Sequence, residues 1–141
     1  MITEFISEIK TIPYGNRIVY EMLADMSNLE KIKHRIPSNK IEDFIFDTDS
    51  CSFSIQPVGK VCLSIIDREP LKTIKLTATP SPMEVNMWIQ LKETGEQVTK
   101  MKLTIKADLN PFLKPVLSKP LQDGINQIAD ILASIPYETL V

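Results

Sequence analysis

The side chains best suited to bind a metal or to attack a substrate are a single histidine, His34, and two cysteines, Cys51 and Cys62. His34 stands between Lys33 and Arg35 near the predicted end of a helix, where a solvated histidine is the ordinary case. The three residues lack the short spacing of zinc ligands, and the four glycines form no phosphate-binding loop. The sequence therefore predicts no catalytic residue, no metal site and no cofactor.

The predicted places of the two cysteines in a sheet decide whether they can form a disulfide. Residues 56–60, Gln-Pro-Val-Gly-Lys, are typical of a hairpin turn because proline and glycine supply the required backbone angles. Folding the chain about this turn places Cys51 opposite Ile65 and Cys62 opposite Ser54, on the other face of the sheet. Thiols on opposite faces cannot reach disulfide distance. Both cysteines are predicted to be free thiols, with Cys51 buried.

The clearest structural pattern is a pair of strands within residues 83–107, in which apolar and polar residues alternate. The apolar residues are Met83, Val85, Met87, Ile89 and Leu91 in the first strand, and Met101, Leu103, Ile105 and Ala107 in the second. Asn110-Pro111 then begins an amphipathic helix that runs to about Ile135. A sheet with one apolar face needs such a helix to cover that face.

The rest of the chain divides into short elements. Residues 3–12 are predicted to form a first strand that bends, and Asn16 is the predicted N-cap of a helix that reaches Met26. A capping box at residues 27–30 begins a second short helix, which Pro37 ends. Further strands are predicted at residues 41–47, 51–56, 60–67 and 72–79.

Pairing apolar residues across the predicted turns gives one common apolar face on four successive strands. A one-residue slip would mix the two faces, so this agreement supports the strand assignment. The predicted pairs include Leu63–Leu76, Leu76–Val85, Met87–Leu103 and Ile89–Met101. The fold class is therefore α+β: a curved antiparallel sheet of about seven strands wrapped on a long C-terminal helix, in the order β-α-α-β6-α. The residues predicted to be buried are Phe53, Leu63, Leu76, Met87, Leu103 and Ile105.

Two features of the last helix leave its course open. Pro115 and Pro120 each remove a backbone hydrogen bond, which predicts either a kink near Ser118 or a short first turn followed by the main helix from Pro120. Gly124 costs about 1 kcal/mol relative to alanine and indicates either close helix–sheet packing or space left for a ligand. The predicted apolar stripe comprises Leu113, Val116, Leu117, Leu121, Gly124, Ile128, Ile131, Leu132 and Ile135.

The element order and three short stretches resemble the helix-grip fold of the START/Bet v 1-like (SRPBCC, polyketide cyclase/dehydrase-like) superfamily. These stretches are Tyr14-Gly15-Asn16, Arg68-Glu69-Pro70 and Asn110-Pro111-Phe112. The resemblance spans nearly the whole chain and implies one domain over residues 1–141, with a cavity that holds an apolar or amphipathic molecule, lipid-like or polyketide-like. The glycine-rich segment of the plant pathogenesis-related members is absent, and no catalytic residue carries over.

The leading functional prediction is a cavity, between the sheet and the last helix, that binds a hydrophobic small molecule. A curved sheet around a helix with a glycine and two internal prolines is not expected to close completely, which predicts an apolar void of several hundred Å3. The alternative is a fully packed core without a ligand. The predicted walls are Phe53, Leu63, Leu76, Met87, Ile89, Met101 and Leu103 in the sheet, and Leu117, Leu121, Gly124 and Ile128 in the helix.

Two other functions stay open. A cyclase- or hydratase-like enzyme of the same superfamily would place polar groups in the cavity; the candidates are Ser7, Tyr14, His34, Thr99 and Gln127. A co-chaperone-like interaction protein would instead use Trp88, which is predicted on the outward sheet face between Thr73 and Lys102. Stacking of the Trp88 ring on the Lys102 stem would explain the same position without a partner.

Length, composition and charge exclude several other classes of protein. A chain of 141 residues is one domain, with 43% hydrophobic and 24% charged residues, as in ordinary globular proteins. The net charge of −2 argues against a nucleic-acid-binding protein. No apolar run approaches the roughly 20 residues of a membrane span, and the first residues lack the features of a signal peptide. The sequence therefore predicts a cytoplasmic protein.

Overall fold

A computed structural model describes residues 2–31, 41–55, 59–79 and 84–137 of the chain. In chain order the elements are β1 (Ile2–Ile6), β2 (Lys10–Ile12), α1 (Asn16–Leu23), a 3-10 helix (Met26–Lys31), β3 (Ile41–Phe46), β4 (Ser50–Ile55), β5 (Gly59–Glu69), β6 (Thr73–Thr79), β7 (Val85–Gly95), β8 (Val98–Asp108) and α2 (Lys114–Ala133). This confirms the predicted α+β order of a first strand, a helix pair, a strand meander and a long last helix. Within the described ranges, no helix is long and apolar enough to cross a membrane.

The strands form one antiparallel sheet in the order β1-β8-β7-β6-β5-β4-β3, with β2 also paired to β8. The predicted bend divides the first strand in two, so the described sheet has eight strands where about seven were predicted. Ser7 holds the bend, because its N–H donates to the Leu103 carbonyl and its hydroxyl oxygen accepts the Leu103 N–H, both at 2.9 Å.

The predicted strand pairs have the wrong offset along the strands, but each residue lies on the predicted face of the sheet. Every predicted hairpin register is displaced by two residues: the observed pairs are Cys51–Leu63, Leu63–Ala78, Leu76–Met87 and Met87–Ile105. Side chains alternate with a period of two, so a two-residue slip keeps each residue on its predicted face. In β5 a bulge between Ile65 and Asp67 adds a residue that apolar alternation does not reveal.

Both cysteines are free, as predicted. Cys51 is buried on the inward face, and Cys62 is half-buried on the outward face. Cys62 pairs with Ser52 rather than with the predicted Ser54, again because of the two-residue offset. Their side chains therefore lie on opposite sides of the sheet.

The helix-pair caps differ from those predicted. Gly15 holds the N-cap position, so Asn16 is the first helical residue, and its amide donates to the Leu71 carbonyl at 3.5 Å. The turn into the 3-10 helix is held by Asp25, whose carboxylate accepts the Ser27 N–H at 2.9 Å. The Asp25 side chain, two residues before the predicted cap at Ser27, therefore stabilises the start of this helix in place of the predicted capping box. The predicted end of the second helix at Pro37 lies outside the described residues.

Helix α2 is continuous from Lys114 through Pro120, so the alternative of a separate first turn is wrong. Asn110 prepares its start, because its side-chain oxygen accepts the N–H groups of Phe112 and Leu113 at 2.9 Å. The predicted stripe is rotated: Val116 is 58% exposed, whereas the fully buried positions include Ile125 and Ala129.

Polar contacts fix α2 over the β1–β2 side of the sheet. The contacts are Gln122 Nε2 to the Ile6 carbonyl (3.0 Å), Asn126 Oδ1 to the Glu8 N–H (3.1 Å) and Lys10 Nζ to Asp130 Oδ1 (2.5 Å). Accordingly, α2 packs on β8, β1 and β2. The strands at the other side of the sheet, β4 to β6, are farther from its axis, and this asymmetry positions the cavity described below.

The core lies on the inward face, as predicted. Leu76 and Leu103 are fully buried, and Met87 and Ile105 are buried, in agreement with the sequence. Phe53 and Leu63 are only half-buried and pack against the edge of this core.

Candidate ligand cavity

An apolar cavity of about 140 Å3, partly open to the surface, lies between the sheet, the helix pair and the C-terminal half of α2. Its size is below the several hundred Å3 predicted. It is lined by Met22, Leu23, Asp25, Met26, Asn28, Phe44, Cys51, Phe53, Leu63, Leu76, Met87, Ile89, Ile128, Ile131 and Leu132. Of these fifteen residues, twelve are apolar. Because α2 packs closely on β8, β1 and β2, it leaves space above the middle strands, and the cavity lies there.

The floor of the cavity is the inward face of the middle strands. Leu76, Met87 and Ile89 come from the paired strands β6 and β7, where alternation turns each of them inward. At the β3–β4 side, the Phe44 and Phe53 rings stack with centroids 5.9 Å apart and an angle of 12°. The wall is therefore aliphatic in the centre and aromatic at one side.

Three methionines line the cavity: Met22 and Met26 from the helix pair, and Met87 from the sheet. Methionine adapts its unbranched chain to irregular apolar shapes and makes favourable sulfur–aromatic contacts. Met22 and Met26 recur at helical spacing in the sequence, but only the tertiary structure shows what that helical face covers. Of the other methionines predicted to face inward, Met101 is fully buried outside the cavity and Met83 lies outside the described residues.

The polar residues among these fifteen lining residues are Asp25, Asn28 and Cys51. Asp25 accepts hydrogen bonds from Ser27, and the Asn28 amide donates to the Met22 carbonyl at 3.0 Å. Burial raises the pKa of the Cys51 thiol to about 12, because the apolar surroundings disfavour the thiolate. This thiol is consequently a weak nucleophile at neutral pH.

The structure brings six of the eleven sequence-predicted site residues to the cavity: Phe53, Leu63, Leu76, Met87, Ile89 and Ile128. The other five do not line it: Met101 and Leu103 are fully buried on β8, Leu117 and Leu121 are half-buried on α2, and Gly124 also lies on α2. The separation follows from the position of α2, which closes directly on β8 and leaves space only beside it.

Gly124 does not mark a close approach of helix and sheet. A Cβ atom built at this residue would meet nothing within 4 Å. The prediction of close helix–sheet packing at Gly124 is therefore wrong, and the open space beside it is separate from the lining of the cavity.

The polar residues considered for an enzyme are not gathered at the cavity. The Thr99 hydroxyl donates to the Tyr14 carbonyl at 2.8 Å, and the Ser7 hydroxyl bonds the backbone at the strand bend. Neither they, Tyr14 nor Gln127 lines the cavity. His34 lies outside the described residues. Within the ranges that are described, no group of three or more His, Cys, Asp or Glu side chains could hold a metal ion.

Trp88 lies half-buried on the outward face, but its neighbours differ from those predicted. It pairs with Lys75 and Thr104 rather than with Thr73 and Lys102. Two ammonium groups flank its ring, Lys75 Nζ at 5.3 Å and Lys106 Nζ at 5.5 Å from the ring centroid. The predicted cation–π contact thus exists with different lysines, for the same two-residue reason.

Neither a protein-family model nor a curated protein sequence matches the chain. Solved structures do match. Norcoclaurine synthase from Thalictrum flavum superposes with a TM-score of 0.75 at 11% identity, covering 94% of this chain and 85% of that chain. Mll3558 from Rhizobium loti gives 0.64 at 15% identity, covering 95% and 96%. A START superfamily protein from Mycobacterium smegmatis gives 0.55 at 8% identity, covering 90% and 98%.

The fold is START/Bet v 1-like. The two named relatives of that type confirm the helix-grip architecture predicted from the element order. At identities of 8–15% the likeness concerns the fold alone.

Proposed function

We propose that this protein binds a hydrophobic small molecule in the cavity between the sheet, the helix pair and α2. The observation that carries the proposal is an apolar space of about 140 Å3 inside a START/Bet v 1-like fold. Its lining residues include Phe53, Leu63 and Met87, which have apolar side chains and carry no hydrogen-bond donor or acceptor that a ligand would have to match. Displacement of water from such a wall favours binding of apolar matter.

A neighbour in fold supports a role in small-molecule binding. One structure of norcoclaurine synthase from Thalictrum flavum is described as a complex with dopamine and hydroxybenzaldehyde. Proteins of this fold can therefore bind small aromatic molecules. Among the described residues, the lining of the cavity holds no convergent set of acidic or basic groups, which favours binding without catalysis over the cyclase- or hydratase-like alternative. The proposal places this activity in the cytoplasm, as the sequence predicts.

Native mass spectrometry of freshly purified protein tests the proposal directly. We expect a co-purifying mass, or an increase of the melting temperature in a thermal-shift screen of neutral apolar compounds. Leu63→Phe should abolish the shift, because a ring at this wall position fills the cavity. Leu121→Phe is the matched control, since Leu121 is half-buried and does not line the cavity.

The proposal fails if no compound shifts the melting temperature and no mass co-purifies. Loss of binding in Leu121→Phe with retention in Leu63→Phe would move the site from the cavity to the first half of α2. That position is the one predicted from the sequence for Leu117, Leu121 and Gly124.

A contact with another protein at Trp88 is a second candidate, favoured by the apolar residues beside it. Ile6 and Trp88 both pair with Thr104, and Ile2 shares a surface cleft with Trp88; Ile2 is 68% exposed and Ile6 is 43% exposed. Size-exclusion chromatography tests this candidate. A wild-type oligomer that dissociates on Trp88→Ala substitution would support this candidate. A wild type and a variant that are both monomeric would remove its main support.

A further inference from the structure

The volume of the cavity limits the size of its ligand. An engineered apolar cavity of about 150 Å3, lined by leucine, isoleucine and phenylalanine, binds benzene. The cavity here is of the same size, about 140 Å3, and has the same kind of wall. A fatty-acid chain or a sterol ring system occupies several times this space, so most of it would lie outside the apolar walls.

The composition of the wall favours an aromatic ring over an aliphatic chain. Phe44 and Phe53 lie against each other at one side, with an angle of 12° between their rings. An additional ring can pack edge-to-face or offset against such a pair, which stabilises it beyond simple area burial. Met22, Met26 and Met87 add three thioether sulfurs around the same space, and sulfur–aromatic contacts are favourable.

The polar groups of the wall argue against an anionic ligand. Asp25 is held by its turn, where one carboxylate oxygen accepts both the N–H and the hydroxyl of Ser27. The Asn28 amide donates to the carbonyls of Glu21 and Met22. No cationic side chain lines the cavity within the described part of the chain. A carboxylate placed there would lose its hydration without gaining a partner.

We propose that the cavity selects uncharged single-ring aromatic molecules, of the size of toluene, over carboxylate analogues, long-chain lipids and polycyclic compounds. This inference rests on the proposed function and narrows it to one ligand class.

The test measures binding of five probes to the full chain at pH 7 by titration calorimetry and thermal shift. The probes are toluene, benzoate, benzylamine, naphthalene and palmitate. Toluene should raise the melting temperature by about 4–5 °C at ten times its Kd. Benzoate should bind at least about 100-fold more weakly than toluene, because burial of its charge is not compensated. Benzylamine should bind no more tightly than toluene, and naphthalene and palmitate should give no shift.

Two kinds of variant test the size limit. Leu63→Ala enlarges the cavity and should allow naphthalene to bind, whereas Leu63→Phe should exclude toluene. Ile128→Phe, on the opposite wall, should also exclude toluene and serves if Leu63→Phe does not fold. Leu121→Phe should leave all five affinities unchanged.

The outcomes separate this inference from the proposed function. Binding of palmitate or naphthalene without binding of toluene would overturn the single-ring class and leave small-molecule binding intact. Tighter binding of benzoate or benzylamine than of toluene would overturn the requirement for a neutral ligand. Absence of binding by every probe, together with no co-purifying mass, would overturn both proposals.

Discussion

Tyr137, in the short described stretch after α2, is part of the core, and its hydroxyl provides a sharp test of the structure. Tyr137 is fully buried, and its hydroxyl donates a hydrogen bond of 2.6 Å to the Leu132 carbonyl in the last turn of α2. Its ring packs edge-on against Tyr14, with centroids 5.9 Å apart. Replacement of Tyr137 by phenylalanine keeps the ring contact and removes only the hydroxyl.

The expected loss of stability at pH 7 follows from that single hydrogen bond. A neutral hydrogen bond contributes about 0.5–1.5 kcal/mol, and a buried carbonyl left unpaired raises the cost toward about 2 kcal/mol. Tyr137→Phe should therefore lower the free energy of unfolding by about 1–2 kcal/mol. For a domain of this size the melting temperature should fall by about 3–6 °C.

The difference should shrink at alkaline pH. Burial raises the pKa of the Tyr137 hydroxyl well above its ordinary value of about 10. Because the folded state holds this proton more tightly, its contribution is complete below pH 10 and is lost as the pH rises toward the folded pKa. At pH 11 the wild type should have lost about 1.4 kcal/mol that Tyr137→Phe does not lose.

The assay is urea unfolding followed by circular dichroism at pH 8, 10 and 11. Tyr14→Phe is the control, since it removes a hydroxyl from the partner ring, which is only half-buried. Equal stability of wild type and Tyr137→Phe at pH 8 would refute the role of the hydrogen bond. A gap that stays constant up to pH 11 would refute the burial of the hydroxyl.

Three further predictions concern other parts of the chain. With iodoacetamide at pH 8, Cys62 should be alkylated in the native protein and Cys51 should not, because a pKa of about 12 leaves about 1 in 10,000 Cys51 thiols ionised. Peptide mass spectrometry measures the labelling of each cysteine, and native labelling of Cys51 would contradict its burial. Met87→Lys should prevent folding, since the lysine would be an unpaired charge on the inward face; a wild-type-like melting curve would show that the face is wrongly assigned. Gly124→Ala should raise the free energy of unfolding by about 0.5–1 kcal/mol in urea titration, because alanine favours the helix and its methyl group would meet open space. A destabilised variant would show that this space is filled.

The sequence alone determined which side of the sheet each residue faces. Alternation of apolar and polar residues has a period of two, so the pattern alone predicts Met87 and Leu76 on the inward face and Trp88 on the outward face, as observed. The same pattern separated Cys51 from Cys62, and the last helix followed from the need to cover the apolar face. Local chemistry also predicts a helix that begins at Asn110-Pro111; the Asn110 side-chain oxygen accepts two backbone N–H groups there, but α2 itself begins later, at Lys114.

Only the tertiary structure decided how far the strands slide past one another. An offset of two residues leaves every face unchanged, so apolar matching cannot detect it; bulges and turn conformations fix it instead, as at Ile65–Asp67 in β5. The lysines that flank Trp88 are therefore Lys75 and Lys106, two positions that the sequence pattern did not single out.

The place of the cavity is likewise a property of the tertiary structure. It is the space left when α2 is anchored beside β1 and β2 through contacts such as Gln122 with Ile6, residues 116 positions apart in the chain. A local pattern shows that a helix has an apolar face but not which strands that face reaches. For this reason Leu63 and Ile128 line the cavity, whereas Leu103, equally apolar and on the same sheet face, lies in closed packing beneath α2.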